Sequence, residues 1–278
     1  FGIVSTLIFE TFEFFTEVPI WRFLTDTKWT PLFSTKQYGI FVLISGTVLI
    51  AVISIIVALP LGLLAAICLS EYATPNTRKI LKPILEILAG IPTVVYGFFA
   101  LLTVTPTLEF LIEALQRIFP FIPDLNGYNA LSAALVVGVM ITPMVASLSE
   151  DAIYSVPRRL RDGAYALGAT KRETVTSVVL PAALSGIVSS LILAISRAVG
   201  ETMIVSLAAG IKPTLGFNPF DAVMTMTAFI VQISKGDAPY GTTVYRTLFA
   251  VGTTLFLMTL VLNIFSFWFV RRFREKYD

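Results

Sequence analysis

The chain has 278 residues, 56% of them apolar and only 14% charged, with a net charge of +2. A soluble domain carries about a quarter charged residues. With a mean hydropathy of +0.83, this composition excludes a soluble globular protein, a disordered chain and a nucleic-acid binder, and leaves a polytopic membrane protein.

There is one cysteine, Cys68, in an apolar run, and no histidine. A disulfide framework, a cysteine metal site and the commonest general base are therefore absent, which argues against an enzyme. A helix needs roughly 20 apolar residues to cross about 30 Å of hydrocarbon. The chain opens on an apolar stretch, residues 1–9, too short to span and followed by the acidic Glu10 and Glu13. It is not a signal peptide by its flanks, and without an initial Met it reads as the end of a first membrane helix. Five fuller spans follow, at 39–69, 80–104, 128–148, 182–209 and 244–270. Pro92 and Pro143 fall inside two of them, which membrane helices tolerate when neighbours satisfy the freed carbonyls. The expected fold is thus all-α, with six transmembrane helices. Residues 1–38 hold the end of the first and an outer segment, and residues 39–278 form the transmembrane domain.

Two outer segments are more than loops. Residues 106–119 carry Leu108, Leu111, Ile112, Leu115 and Ile118 at helical spacing, with Glu109, Glu113, Gln116 and Arg117 largely on another face. This pattern predicts an amphipathic helix at the interface or over the bundle mouth. Residues 219–233 are apolar but short, and stay open between a half-helix and an interfacial segment.

The basic residues alternate with the spans. Arg78, Lys79 and Lys82 occupy one connection, Arg158, Arg159, Arg161, Lys171 and Arg172 another, and Arg271, Arg272, Arg274 and Lys276 the end. The remaining connections are mixed or acidic, with Glu10, Glu13, Glu17 and Asp26 in one and Glu109, Glu113 and Asp124 in the next. By the positive-inside rule the basic set is cytoplasmic, which places both termini in the cytosol.

The connection 149–181 is far longer than joining two helices requires. Ser155 and Pro157 suit a helix start, Gly168 a helix stop, and Thr170 a second start running to Pro181. A short helix, a glycine turn and a second helix fit two readings, an ordinary basic loop or a docking surface.

Within this loop, Asp162-Gly163-Ala164, three residues, Gly168, nine residues, Val178, one residue and Leu180-Pro181 resemble the Glu-Ala-Ala loop of ABC-importer permeases. The spacing agrees throughout. Asp162, Gly163 and Val178 depart mildly from the family's Glu, Ala and Ile. The resemblance implies the type I ABC-importer permease fold and a coupling helix that docks on a cytoplasmic ATPase. Arg158, Arg159, Arg161, Asp162, Gly163, Ala164 and Gly168 are its candidate coupling residues. Leu85 to Gly97, containing Gly90-Ile91-Pro92, and Ser196 to Met203, containing Arg197 and Gly200-Glu201-Thr202-Met203, resemble signatures of phosphate-importer permeases, the C-type subunit more than its A-type partner. That likeness implies one half of a phosphate pathway in the plasma membrane. Its partners would be an A-type permease subunit, two ATP-binding subunits and a periplasmic or lipid-anchored phosphate-binding protein. No cofactor is implied.

An ionised side chain inside a membrane is costly and marks function. Arg197 and Glu201 are four apart, which on one continuous helix puts them on one face. They read either as a self-neutralising pair or as pathway residues. In the second reading the Arg197 fork takes phosphate oxygens, Glu201 holds Arg197 or accepts a phosphate O–H, and Thr202 lies beside them. Glu86, four after Lys82, is either its interfacial partner or, with Thr93 and Tyr96, part of a gate. No Gly-x-x-x-x-Gly-Lys-Ser/Thr phosphate loop occurs, so ATP hydrolysis must come from a partner. The same machine for molybdate, sulfate or tungstate, and a stand-alone channel or carrier, are the competing readings. A carrier would not need the helix–Gly–helix loop.

Overall fold

The computed structural model describes residues 2–273. Among these the chain is helical apart from turns and one isolated antiparallel bridge, Trp29 to Tyr38. The helices are α1 (Gly2–Glu17), α2 (Ile20–Thr25), α3 (Ile40–Tyr72), α4 (Pro75–Ala89), α5 (Thr93–Gln116), α6 (Ala130–Tyr154), α7 (Arg158–Ala166), α8 (Lys171–Val199), α9 (Met226–Gln232) and α10 (Thr243–Phe273). Five of them, α3, α5, α6, α8 and α10, are long and apolar enough to cross a membrane. Arg274 and Lys276 of the basic C-terminus lie outside the described residues, as do Phe1 and the side chain of Arg271.

The span expected at 80–104 is two elements. Thr74 caps α4, accepting from the Thr77 amide at 3.2 Å, and Pro75 occupies its first turn. The helix stops at Ala89 because Gly90 and Ile91 precede Pro92, and a residue before proline avoids the helical region. Pro92, at ψ 132°, then starts α5. The segment expected as a separate interfacial helix at 106–119 is instead the second half of α5. Its Pro106 lacks an amide and crowds the preceding turn. A π-turn at Ala100–Val104 absorbs the misfit, and the Thr105 hydroxyl donates to the Ala100 carbonyl at 3.0 Å. The same device carries α8 through Pro181, which follows a π-turn at Val175–Val179.

The helices form two compact units. One comprises the chain up to Ser54, Pro92–Val137 and Ala198–Leu260. Its core joins Phe14, Phe23, Trp29, Tyr38 and Phe229. Trp29 meets Phe229 edge-on at 5.0 Å between centroids, and Phe14 meets Tyr38 at 5.6 Å. Of the acidic residues expected in an outer connection, Glu10, Glu13 and Glu17 lie instead on α1, which runs on to Glu17, and Asp26 follows α2. Glu10, Glu13 and Glu17 gather around Arg246 of α10. Within residues 219–233 the half-helix reading holds, since Met224, Met226 and Phe229 are buried and α9 begins at Met226 with a Thr225 cap.

The other unit comprises Ile55–Ile91, Gly138–Arg197 and the chain from Val261. Its core is Ala66, Ile153, Val156, Val179, Ala183 and Ile187, with Leu160 of α7 packed against it. One apolar side chain thus seats α7.

Candidate functional site

The loop 149–181 folds as a helix, a glycine turn and a helix. Pro157 precedes α7 with ψ 135° and no side-chain cap, because the Ser155 hydroxyl donates to the Ala152 carbonyl instead. Ser155 is therefore not the cap its position suggested. At the other end Gly168 has φ 82°, a left-handed conformation that favours glycine. Its amide donates to the Tyr165 carbonyl at 2.9 Å, and the Ala169 amide to Ala164 at 3.1 Å. Thr170 and Glu173 then form a reciprocal capping box that starts α8.

The α7 surface is divided. Arg158, Arg159, Asp162 and Gly163 are exposed and Ala164 is half-buried. Leu167, 92% exposed at the helix end, is an apolar side chain that sequence reasoning missed. Arg158, Asp162 and Tyr165 border a polar cavity of about 320 Å³ shared with Ser70 and Glu71. Arg161 does not join the outer face. Its Nε and Nη2 donate to Glu71 at 3.1 and 2.6 Å, and Nη2 also donates to the Ile153 carbonyl at 2.9 Å. Nη1 donates to the Val156 carbonyl at 2.5 Å. This guanidinium ties α7 to the ends of α3 and α6. Replacing Arg161 with Ala strips a mostly buried carboxylate and two carbonyls of their donor. Breaking such a pair costs about 3–5 kcal/mol, so α7 should become susceptible to limited proteolysis while Arg158→Ala leaves it protected. Equal protection in both variants would show that Arg161 is dispensable for seating α7.

A second charge cluster lies one turn back on α6. Glu150 has 1% of its side chain exposed and faces Arg78 at 2.5 Å and Lys82 at 3.1 Å, both from α4. Lys82 also pairs with Asp151, and the Arg78 guanidinium sits 3.6 Å from the Tyr154 ring centre. Burial by itself lowers the Lys82 pKa, but the hydrogen bonds to Asp151 and Glu150 outweigh it and the net direction is up. Lys82 therefore takes its partners from α6 and not from Glu86, which is exposed. The sequence signal was present as two adjacent acids beside an otherwise basic loop.

Arg197 is half-buried in the last turn of α8, and its Nη2 makes a long hydrogen bond, 3.5 Å, to the Ala89 carbonyl at the end of α4. The one-face relation to Glu201 does not hold, because α8 ends at Val199. Glu201, 6% exposed, caps the short helical segment 203–209, accepting from the amides of Met203 at 3.0 Å and Ile204 at 3.2 Å. Its carbonyl accepts from the Thr227 hydroxyl at 2.6 Å. The Thr202 hydroxyl turns back to the Gly200 carbonyl. Segment 203–209 lies against α5 at Gly97, where an added Cβ would come within 2.6 Å of Leu207. Thr93 opens α5, and Tyr96, half-buried, immediately precedes Gly97.

The fold has solved counterparts. A bacterial alginate ABC transporter, in complex with its alginate pentasaccharide-bound periplasmic protein, is 15% identical with a TM-score of 0.60, covering 100% of this chain and 96% of that one. The MetNI methionine ABC transporter, in an inward-facing form, is 19% identical with a TM-score of 0.56, covering 85% of this chain and 95% of that one. The fold is therefore that of a type I ABC-importer permease. Residues 58–277 match the binding-protein-dependent transport system inner membrane component family, and the chain belongs to it. It is a multi-pass membrane subunit of a transporter rather than an enzyme, and such permeases work with ATPase and substrate-binding partners. Among its relatives is the probable ABC transporter permease protein YqgH of Bacillus subtilis, 36% identical over 86% of this chain and 74% of that protein. Another is the probable phosphate transport system permease protein PstC of Methanocaldococcus jannaschii, 34% identical over 95% of this chain and 87% of that protein. PstC 1 of Mycobacterium tuberculosis is 33% identical over 90% and 82%.

Proposed function

We propose that this chain is the C-type permease subunit of an ATP-driven inorganic phosphate importer, with Arg197 as a transient phosphate ligand. The observation that carries the reading is the state of Arg197. A guanidinium has five donors, and among the described residues Arg197 makes one hydrogen bond, a long one. A planar fork left this lightly engaged suits a passing tetrahedral oxyanion. The likeness to proteins named as phosphate permeases supports the choice of oxyanion. Glu201 and Thr202 shape the turn after Arg197, and Glu86, Thr93 and Tyr96 are the candidate gate. The exposed face of α7, with Arg158, Arg159, Asp162, Gly163 and Leu167, is the ATPase contact, while Arg161 and Gly168 hold its shape. Residues 1–38 contribute the end of a first helix and the outer segment, and residues 39–278 the transmembrane domain. The subunit pairs with an A-type permease, is driven by two ATP-binding subunits and receives phosphate from a periplasmic or lipid-anchored binding protein. Both termini face the cytosol of a bacterial cell.

Reconstitution tests this. In liposomes the assembled complex should take up labelled phosphate with ATP and its binding protein, with molybdate and sulfate competing poorly. The single chain should give no flux. Uptake by the chain alone on an ion gradient would replace this reading with a carrier, and stronger competition by sulfate or molybdate would change the substrate.

A further inference from the structure

Helix α4 is attached in an unusual way. Its outward arc is apolar, with Ile80 and Ile87 64% and 71% exposed, and none of its side chains is fully buried. Its inward contacts are instead the charges Arg78 and Lys82. Hydrophobic packing therefore fixes the position of α4 weakly, and Glu150 fixes it strongly. A carboxylate with 1% of its side chain exposed is costly to bury unless it is paired. Glu150 is paired twice, both times to α4.

The attachments on either side of Glu150 are also polar. Toward the cytoplasmic loop, Arg161 of α7 grips the carbonyls of Ile153 and Val156, the first of them one turn beyond Glu150. Toward the membrane interior, the last residue of α4 presents the Ala89 carbonyl to Arg197. All these contacts lie within one compact unit. The contacts thus form a continuous series from α7 to the end of α6, through Glu150 to α4, and along α4 to the Ala89 carbonyl at Arg197. Between the two attachments α4 stays one helix through Pro83 to Ala89.

We propose that Glu150 is the positioning residue that links α7 to Arg197, by fixing α4 as a strut between them. The proposal rests on the reading of α7 as the ATPase contact and of Arg197 as a phosphate ligand. It differs from a purely structural role in what it predicts for transport per ATP. With Glu150 neutralised, the exposed Lys82–Asp151 pair is, among the described residues, the charge pair that remains between α4 and α6, so ATP hydrolysis still moves α7 while the carbonyl at Arg197 follows less closely.

The test uses the full reconstituted complex with its ATPase and binding protein. In Glu150→Gln and in Lys82→Met, the recovered complex should hydrolyse ATP at close to the wild-type rate. Phosphate moved per ATP should fall, by about tenfold in Glu150→Gln, the weight of one charge-assisted hydrogen bond, and by less in Lys82→Met, where Arg78 still holds Glu150. Glu150→Asp, which keeps the charge, should recover part of the ratio. If the complex is merely scarcer and the ratio stays at the wild-type value in the recovered fraction, Glu150 is structural only and the proposal fails. Should Glu150→Gln not assemble, Lys82→Met decides by the same ratio. Cross-linking of α7 to the ATPase in the wild-type complex is scored separately, so failure of the docking reading is distinguishable from failure of the link.

Discussion

Replacing Arg197 with Ala should cut phosphate uptake by one to two orders of magnitude, about 10- to 150-fold, while the assembled complex is still recovered from the membrane. The side chain sits in the last turn of α8, and among the described residues the one hydrogen bond it gives up is 3.5 Å, to the Ala89 carbonyl. Assembly therefore loses little. The proposed phosphate path loses a charged hydrogen-bonding group worth about 1.5–3 kcal/mol, which sets the size of that fall. Arg197→Lys keeps the charge and loses the fork, and should fall between the two. The double variant with Glu201→Ala separates this from a structural pair. Two residues that only neutralise each other would recover when both are removed. Glu201 is already committed to the amides of Met203 and Ile204, so its removal uncaps segment 203–209 and the double variant should be worse than either single one. Labelled-phosphate uptake, normalised to assembled complex, measures all three. Near-normal uptake in Arg197→Ala would take this residue out of the pathway.

Gly168→Val should uncouple ATP hydrolysis from transport. At φ 82° a β-branched residue is strained by about 1–3 kcal/mol, and no neighbour lies close enough to make the clash steric instead. The relief available is to open the turn, which releases the amide bonds from Gly168 and Ala169 back to α7. The exposed face from Arg158 to Leu167 then loses its fixed angle to α8. Because Gly168 lies on the surface, the protein should still insert and assemble. Uptake should drop at least about tenfold, with ATP hydrolysis continuing, and cysteine cross-links from positions 160–168 to the ATPase should weaken. Full coupling with unchanged cross-links would show that the turn's geometry does not matter.

The structural reasons behind these two predictions differ in how far the sequence reveals them. Gly168, ten residues before Val178 and four after Ala164, is legible because a glycine after a helix and a threonine with a glutamate three later are local signals. They need no distant contact to be read. The environment of Arg197 was only half legible. A guanidinium in an apolar run is visible, but its separation from Glu201 depends on where α8 stops. That stop is decided by the cap Glu201 gives to the next segment and by the hold of Thr227 on its carbonyl, 26 residues away. A helix-period argument assumes a continuous helix, and Gly200 breaks it.

Proline misled in the same way. The apolar spacing of residues 106–119 predicts a separate interfacial helix, whereas the membrane-long α5 runs through Pro106 on a π-turn. Pro92, taken as an internal proline, is a true boundary because Gly90 and Ile91 precede it. Whether a proline ends a helix depends on what satisfies the carbonyls around it, and at Pro106 that is the neighbouring Thr105 hydroxyl, itself bonded to Ser132 from another helix.

By itself, then, the sequence determined what rests on composition and short spacing. That covers the membrane class, all-helical architecture, the long basic loop, its helix–glycine–helix form and the charge at Arg197. Tertiary structure alone decided the pairings. Arg161 turns inward to Glu71, Lys82 chooses Glu150 and Asp151 over Glu86, and Glu201 caps a helix. The reason is the same in each case. A charge near a membrane must find a partner, and which of several partners in reach it takes is set by helices that lie far apart in the chain and meet only when it folds.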